Sequence, residues 1–196
     1  MHPFKVFAID PGPRQSTFAA VEFTGKKKLL DNAIEIMSVG ALDNEEMVNQ
    51  VRAMYGFHMV CEEMKFYGMQ AGAECFDTAR WSGHFERVCK DRGTELVLMP
   101  RQVIKSYVCF TVKAGDKQVR DALIMRYGEP GTKKSPGPLF GISGHSWAAL
   151  ACAVAFHDRA LEAYNESARL NKTNTVTNPI QRPRPSCEAA TGGTIL

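Results

Sequence analysis

Two acidic residues stand where short apolar runs end, and together they could bind a metal ion. The run 4–9 ends in Asp10, and the run 58–61 ends in Glu62. A carboxylate at the end of a core strand loses hydration, so a bound cation or hydrogen-bond donors must stabilise its charge. If the two strands are neighbours, the acids meet at one edge of the sheet, where they repel each other and favour a divalent cation. Asp10 alone is equally consistent with an acid that caps a turn.

The second acid is one of a pair, because Glu63 follows Glu62 directly. Successive side chains of a strand point to opposite faces of the sheet, so only one of the two can face a shared site. We select Glu62 as the candidate ligand and keep Glu63 as the alternative.

A histidine is the third candidate ligand. Residues 144–155 are rich in alanine, which predicts a helix that packs closely against the sheet, and His145 falls in the predicted first turn. The positive end of the helix dipole disfavours an imidazolium there, so the neutral ring can bind a metal or accept a proton from water. The same position also suits an ordinary exposed histidine, so its role depends on the two carboxylates.

The net charge of +3 is unevenly distributed along the chain. Residues 101–134 contain eight lysines and arginines but three acidic residues, which leaves the rest of the chain close to neutral. A basic segment beside an acidic metal site suits a phosphodiester substrate, because cations contact the flanking phosphates while the metal acts on the reacting one. A solvent-exposed helix face explains the same charges without any binding role.

The remaining patterns predict one α/β domain over residues 1–165, followed by a flexible tail rich in Thr, Asn, Pro and Ser over residues 166–196. Apolar runs predict five strands, at 4–10, 16–23, 33–39, 57–62 and 94–99. Helical spacing and capping residues predict helices at 44–54, 70–92, 101–106, 116–127 and 143–165. Between the last two helices, residues 128–144 predict a basic loop rich in proline and glycine.

Composition argues against a membrane protein and against a zinc finger. No apolar run in the 196 residues is long enough for a membrane span, and the N-terminus lacks the pattern of a secretory signal peptide. We therefore expect a cytoplasmic protein with no membrane partner. The six cysteines show neither CxxC nor Cys/His finger spacing, so we expect reduced thiols rather than zinc ligands or disulfides.

Four pieces of sequence occur in a suggestive order: Ile9-Asp10-Pro11-Gly12, a strand ending in Glu62, Gly115-Asp116-Lys117-Gln118-Val119-Arg120, and the alanine-rich helix headed by His145. The ordered set covers about residues 4–157. It resembles the RuvC-type Holliday junction resolvases of the ribonuclease H-like superfamily, in particular the divergent phage-borne members.

The resemblance implies an α/β fold of the ribonuclease H-like type, with a mixed five-stranded sheet flanked by helices and its first three strands antiparallel. It also implies a homodimeric endonuclease that hydrolyses branched double-stranded DNA at Holliday junctions, in recombination or phage DNA processing inside an infected bacterium. Asp10, Glu62 and His145 are then the catalytic and metal-binding residues. We expect that Asp10 would bridge two Mg²⁺ ions, for which Mn²⁺ could substitute, that Glu62 would hold one ion, and that His145 would bind the other or orient the attacking water.

The resemblance also suggests which side chains meet DNA. It places Lys117 near the phosphates and Lys65 where relatives carry an aromatic residue that wedges into the junction, with Phe66 and Tyr67 directly after it. We expect DNA contacts from two aromatic residues and six basic ones: Lys65, Phe66, Tyr67, Lys113, Lys117, Arg120, Lys133 and Lys134.

One position departs from the family pattern. Many relatives carry an acid three residues after the first ligand of the final helix, where this chain has Ala148. Alanine cannot bind a metal, so Glu63, Asp116 or Asp121 would have to supply the missing acid.

Other function classes stay open for this reason. One is a branched-DNA-binding protein with weakened cleavage, and another is a ribonuclease that acts on RNA–DNA hybrids. A sugar-kinase or actin-like phosphotransferase is disfavoured, because it needs a second phosphate-binding half and the 196 residues contain no further Gly-rich strand-turn.

Overall fold

The computed structural model describes residues 4–25, 32–65, 68 and 71–177. Its main sheet has five strands: β1 (Phe4–Asp10), β2 (Gln15–Gly25), β3 (Asn32–Asp43), β4 (His58–Glu63) and β5 (Leu96–Pro100). All five predicted strands are confirmed, and β3 continues four residues beyond its predicted end. Phe66, Tyr67 and residues 178–196 lie outside the described residues, so the predictions made for them are not tested.

The strands are arranged in the order β3-β2-β1-β4-β5. The pairs β3/β2 and β2/β1 are antiparallel, whereas β1/β4 and β4/β5 are parallel. The predicted mixed five-stranded sheet with three antiparallel strands is therefore confirmed. The parallel half matters most for the site, because β1, β4 and β5 all end at the same edge of the sheet.

Helices cover both faces of the sheet. They are α1 (Asn44–Ala53), α2 (Ala73–Asp91), α3 (Arg101–Cys109), α4 (Asp116–Tyr127) and α5 (Ser146–Thr177). Strand alternation divides the core in two: Phe7 and Ile9 of β1 pack with residues of α1 and α2, while Val6 and Ala8 pack with α3, α4 and α5. The predicted α/β class, with helices flanking the sheet, is confirmed.

Helix α5 begins later and ends later than predicted. It runs from Ser146 to Thr177 instead of 143–165, because residues 166–177 contain neither glycine nor proline to end it. The chain divides into two units, Met1–Glu162 and Ala163–Leu196. The boundary between a domain at 1–165 and a flexible tail stays a prediction. Along the described part of the chain, no helix has both the length and the apolar character needed to cross a membrane.

The predicted loop 128–144 contains a short hairpin. Its strands are β6 (Gly131–Thr132) and β7 (Ser135–Pro136), so Lys133 and Lys134 form the turn. Glycine is required at both ends: residue 131 has φ +72°, and a Cβ at residue 137 would collide with the backbone of Glu129. The hairpin presents two exposed lysines on a constrained turn.

A buried ion pair joins α4 to α5. The Nη1 and Nη2 atoms of Arg126 lie 2.6 and 2.7 Å from the two carboxylate oxygens of Asp158, and Asp158 is fully buried. Beside it, the ring of His157 stacks on Phe23 at a centroid distance of 4.0 Å. This polar cluster lies within the core and is separate from the sheet edge that carries the acids.

Candidate functional site

The parallel neighbours β1 and β4 place Asp10 and Glu62 beside each other. Ile9 lies opposite Cys61 in the strand register, so the next residue of each strand reaches the same sheet edge. Both acids continue the rows of strand residues that face α3, α4 and α5. Both also line one open cleft of about 910 Å³.

A hydrogen-bond network holds the turn that follows Asp10. The Asn44 Nδ2 group donates to the Gly12 carbonyl at 3.0 Å, and the Ser16 hydroxyl donates to Asn44 Oδ1 at 2.6 Å. A Cβ at residue 12 would collide with the carbonyl oxygen of Gln15, so glycine is needed for this close approach. The network ties the end of β1 to the first residue of α1 and so fixes the position of Asp10.

The surroundings of Asp10 disfavour its charge. Burial, followed by the negative charge of Glu62, raises the pKa of Asp10 to about 7, although Arg101, His145 and the Thr17 hydroxyl act in the opposite direction. The Thr17 hydroxyl is buried beside the Asp10 carboxylate and favours its charged form. The site therefore contains a carboxylate that lacks sufficient positive charge nearby.

His145 lies beside Asp10 but one position before the helix that was predicted to contain it. Its carbonyl accepts a hydrogen bond from the Ala148 amide at 2.9 Å, so it caps α5 instead of occupying the first turn. Its Nδ1 atom lies 3.9 Å from Asp10 Oδ2, and its side chain is 87 % exposed. The imidazole can therefore meet a ligand or a water molecule in the cleft without moving the core.

Arg101, which the sequence analysis did not select, is the closest cation to these acids that the described residues show. It is the first residue of α3 and follows β5 directly. Its Nη1 atom donates to both carboxylate oxygens of Glu62, at 2.9 and 3.2 Å, and its Nη2 atom donates to Asp116 Oδ1 at 2.5 Å. The sequence did contain a signal for Arg101. It directly follows a strand that ends at the same sheet edge as β1 and β4, so a role beside the two acids could have been predicted.

The residues considered as substitutes for the missing acid occupy different places. Asp116 lines the cleft, as does Ala148 itself. Glu63 lies on the other side of β4 by alternation, and its Oε2 atom is 3.1 Å from Lys65 Nζ. Asp121 is exposed on α4.

The predicted DNA-binding lysines that the structure describes lie outside the cleft lining. Lys65, Lys113 and Lys117 are exposed, and so are Lys133 and Lys134 of the hairpin turn.

Basic side chains also lie in or beside the cleft lining: Arg14, Lys105 and Arg120. The guanidinium carbon of Arg120 lies 5.1 Å from the ring centroid of Trp147, and Trp147 lines the cleft. Arg14 and Lys105 line it too, although neither was predicted. Lys105 could have been found from its spacing, since it lies one helical turn after Arg101.

The donor set fits a hard divalent cation that keeps part of its water shell. Among the described residues, no three His, Cys, Asp or Glu side chains converge into a preformed metal centre. Mg²⁺ commonly binds through one or two carboxylates and completes its shell with water and substrate phosphate. Asp10 and Glu62 match that requirement, and the hydroxyl of Thr17 beside Asp10 can also hydrogen-bond to bound water.

Helices on both faces of this mixed sheet define a ribonuclease H-like α/β fold, and comparison with solved structures agrees. The structure of RuvC from Thermus thermophilus superposes with a TM-score of 0.60 at 18% identity, covering 83% of this chain and 97% of that one. The structure of T. thermophilus RuvC in complex with a Holliday junction substrate gives 0.60 at 16% identity, covering 82% and 96%. No family model matches this chain, and no curated protein matches it. The chain therefore has the fold of RuvC.

Proposed function

We propose that this chain is a metal-dependent endonuclease that hydrolyses phosphodiester bonds in branched double-stranded DNA, with the Holliday junction as the best candidate substrate. The observation that carries the proposal is the pairing of Asp10 with Glu62 at adjacent strand ends, in an open cleft with His145 at its margin. The RuvC fold supports it, since one RuvC structure contains a Holliday junction substrate.

In this proposal Asp10 and Glu62 would hold the metal, and His145 would complete the ligand set or orient the attacking water. When bound there, Mg²⁺, or Mn²⁺ in its place, would supply Lewis-acid chemistry to the phosphate and would lower the pKa of bound water. Asp10 is suited to its role because its carboxylate is buried beside a second negative charge. The exposed imidazole of His145 orients the attacking water and can accept its proton.

The basic residues around the cleft bind the DNA backbone. In the proposal, Lys113, Lys117 and Arg120 contact phosphates near the cut, while Lys133 and Lys134 contact a more distant part of the branch. Lys65, together with Phe66 and Tyr67, acts at the branch point. Two symmetric cuts in one junction favour a two-fold homodimer. We place this activity in the cytoplasm.

A substrate panel tests this function. A four-way junction, a linear duplex of the same sequence and an RNA–DNA hybrid are incubated with the protein in Mg²⁺, in Mn²⁺ or in EDTA. We expect cleavage of the junction with either metal and none in EDTA. Tight junction binding without cleavage would identify a binding protein instead, and preferential cleavage of the hybrid would identify a ribonuclease.

We expect the hairpin and α4 lysines to set the salt dependence of junction binding. Each phosphate contact contributes about 0.9 to the slope of log K against log salt concentration. Lys117→Ala should lower the slope by about 0.9, and the double change Lys133→Ala/Lys134→Ala by about 1.8, in fluorescence anisotropy titrations. Lys90→Ala is the matched control, because Lys90 is exposed on α2 on the other side of the sheet. Slopes that equal the wild-type slope would show that these lysines face only water.

We expect Ala148→Asp to lower the Mg²⁺ concentration that cleavage requires. Ala148 lines the cleft and is only partly buried, so a carboxylate there reaches water and lies one helical turn from His145. A ligand that contributes about 1.4 kcal/mol lowers the Mg²⁺ concentration for half-maximal cleavage about tenfold. Ala148→Asn, which has similar volume and no charge, should show no such change. A folded Ala148→Asp variant with the wild-type Mg²⁺ requirement would mean that the ligand set is already complete.

A further inference from the structure

Arg101 links two acids of very different exposure inside the cleft. The side chain of Glu62 is 9 % exposed, whereas that of Asp116 is 80 % exposed. One guanidinium contacts both acids, with Nη1 on Glu62 and Nη2 on Asp116. A buried carboxylate that has a charged partner this close already has the cation that its position requires.

The guanidinium is a permanent charge at this place. Burial lowers the pKa of Arg101, but the hydrogen bonds and charges of Glu62 and Asp116 outweigh it and raise that pKa above its usual value. The Nη1 atom of Arg101 donates to both oxygens of Glu62 and so occupies two of the about four lone-pair sites of that carboxylate. Glu62 can therefore hold Arg101 and still offer an oxygen to an ion beside Asp10.

Charge balance then limits how many ions the acids around Arg101 can hold. Asp10, Glu62 and Asp116 form one connected group with Arg101. When all are ionised, three carboxylates and one guanidinium leave two negative charges, which one divalent ion neutralises. A second ion would add two positive charges beside Arg101, and Ala148 provides no carboxylate to offset them.

We propose that Arg101 is a resident cation that takes the place of a second divalent ion, so that each chain binds one ion, at Asp10 and Glu62. Arg101 is a positioning residue in this arrangement, because it acts by holding Glu62 and Asp116 in the cleft. The inference rests on the proposed function for the presence of a metal, and it differs from the two-ion arrangement that we expected from the sequence.

The test counts metal ions without using cleavage. Mn²⁺ is titrated into the full chain without DNA, and bound ions per chain are measured by calorimetry and by the electron paramagnetic resonance signal of free Mn²⁺. We expect one ion for the wild type and two for Arg101→Gln, in which Glu62 and Asp116 are released. Arg101→Lys keeps the charge and should bind one. Arg14→Gln, which removes an exposed arginine from the same cleft, should also bind one.

Each result has a definite meaning. Two ions on the wild type, or one ion on a folded Arg101→Gln variant, would overturn the inference and leave the proposed nuclease function standing. No bound ion on the wild type would contradict both. If Arg101→Gln does not fold by circular dichroism, the wild-type count and that of Arg101→Lys still decide, because two ions on either protein refute the inference. If the wild type binds one ion but cleaves no DNA, that result would contradict only the proposed function.

Discussion

Asp10→Asn should reduce metal-dependent cleavage of a four-way junction on the order of 10³-fold or more. The change keeps the volume of the side chain and removes the charge that attracts the metal. Asp10 is buried beside Glu62, and both its burial and the negative charge of Glu62 oppose its ionisation. Its loss should therefore leave the melting temperature unchanged or raise it, so the damage falls on chemistry rather than on folding.

The measurement combines single-turnover cleavage in Mg²⁺ with junction binding in Ca²⁺ or EDTA. Asp121→Asn is the matched control, because Asp121 is exposed on α4, and it should cleave at close to the wild-type rate. Binding by Asp10→Asn should also stay close to wild type, since the phosphate contacts come from other residues. A variant that keeps about a tenth of the activity or more would show that Asp10 does not hold the metal.

Asp158→Asn should lower the free energy of unfolding by about 3–5 kcal/mol. Asp158 is fully buried, and its carboxylate accepts two hydrogen bonds from Arg126. Removing one charge of such a pair leaves the other in a poorly hydrated core, where it lacks its counter-charge. Urea denaturation followed by circular dichroism measures the change.

Removing both charges distinguishes this cause from a packing defect. Arg126→Met combined with Asp158→Leu should recover most of the lost stability, because apolar residues of similar size commonly replace a buried ion pair without loss. The exposed pair of Arg87 and Asp91 on α2 gives the control. Asp91→Asn should change the free energy of unfolding by less than about 1 kcal/mol. A double variant as unstable as Asp158→Asn would show that the shape of the pair matters more than its charge.

Local pattern by itself determined most of the architecture. Apolar runs predicted the five strands, and the spacing from Asp116 to Tyr127 predicted α4 with its observed bounds. The two acids could be chosen from the sequence for the same reason, since the end of an apolar run marks the end of a strand. Period-two alternation further separated Glu62 from Glu63, and the structure places Glu62 in the cleft.

The ends of elements and one short hairpin were predicted less well, because the local sequence gives no clear signal for them. The sequence between 158 and 177 has no stop residue, and this left the end of α5 undetermined by pattern. The hairpin at 131–136 was hidden because proline and glycine usually indicate a loop, whereas here glycines 131 and 137 allow two short strands to meet. The start of α5 was predicted three residues too early, which put His145 in the first turn instead of at the cap, because a helix cap and a first turn have similar local patterns.

Contacts between distant residues were decided only by tertiary structure. Arg101 reaches Glu62 across 39 residues of sequence, and Arg126 reaches Asp158 across 32. A charged residue in a sequence shows its own preference for water but not which partner compensates for its burial. That choice depends on how parallel strands align at one sheet edge and how α4 and α5 pack. The sequence alone therefore determined the strands and the two acids, whereas the packed sheet and helices decided that an arginine stands among those acids.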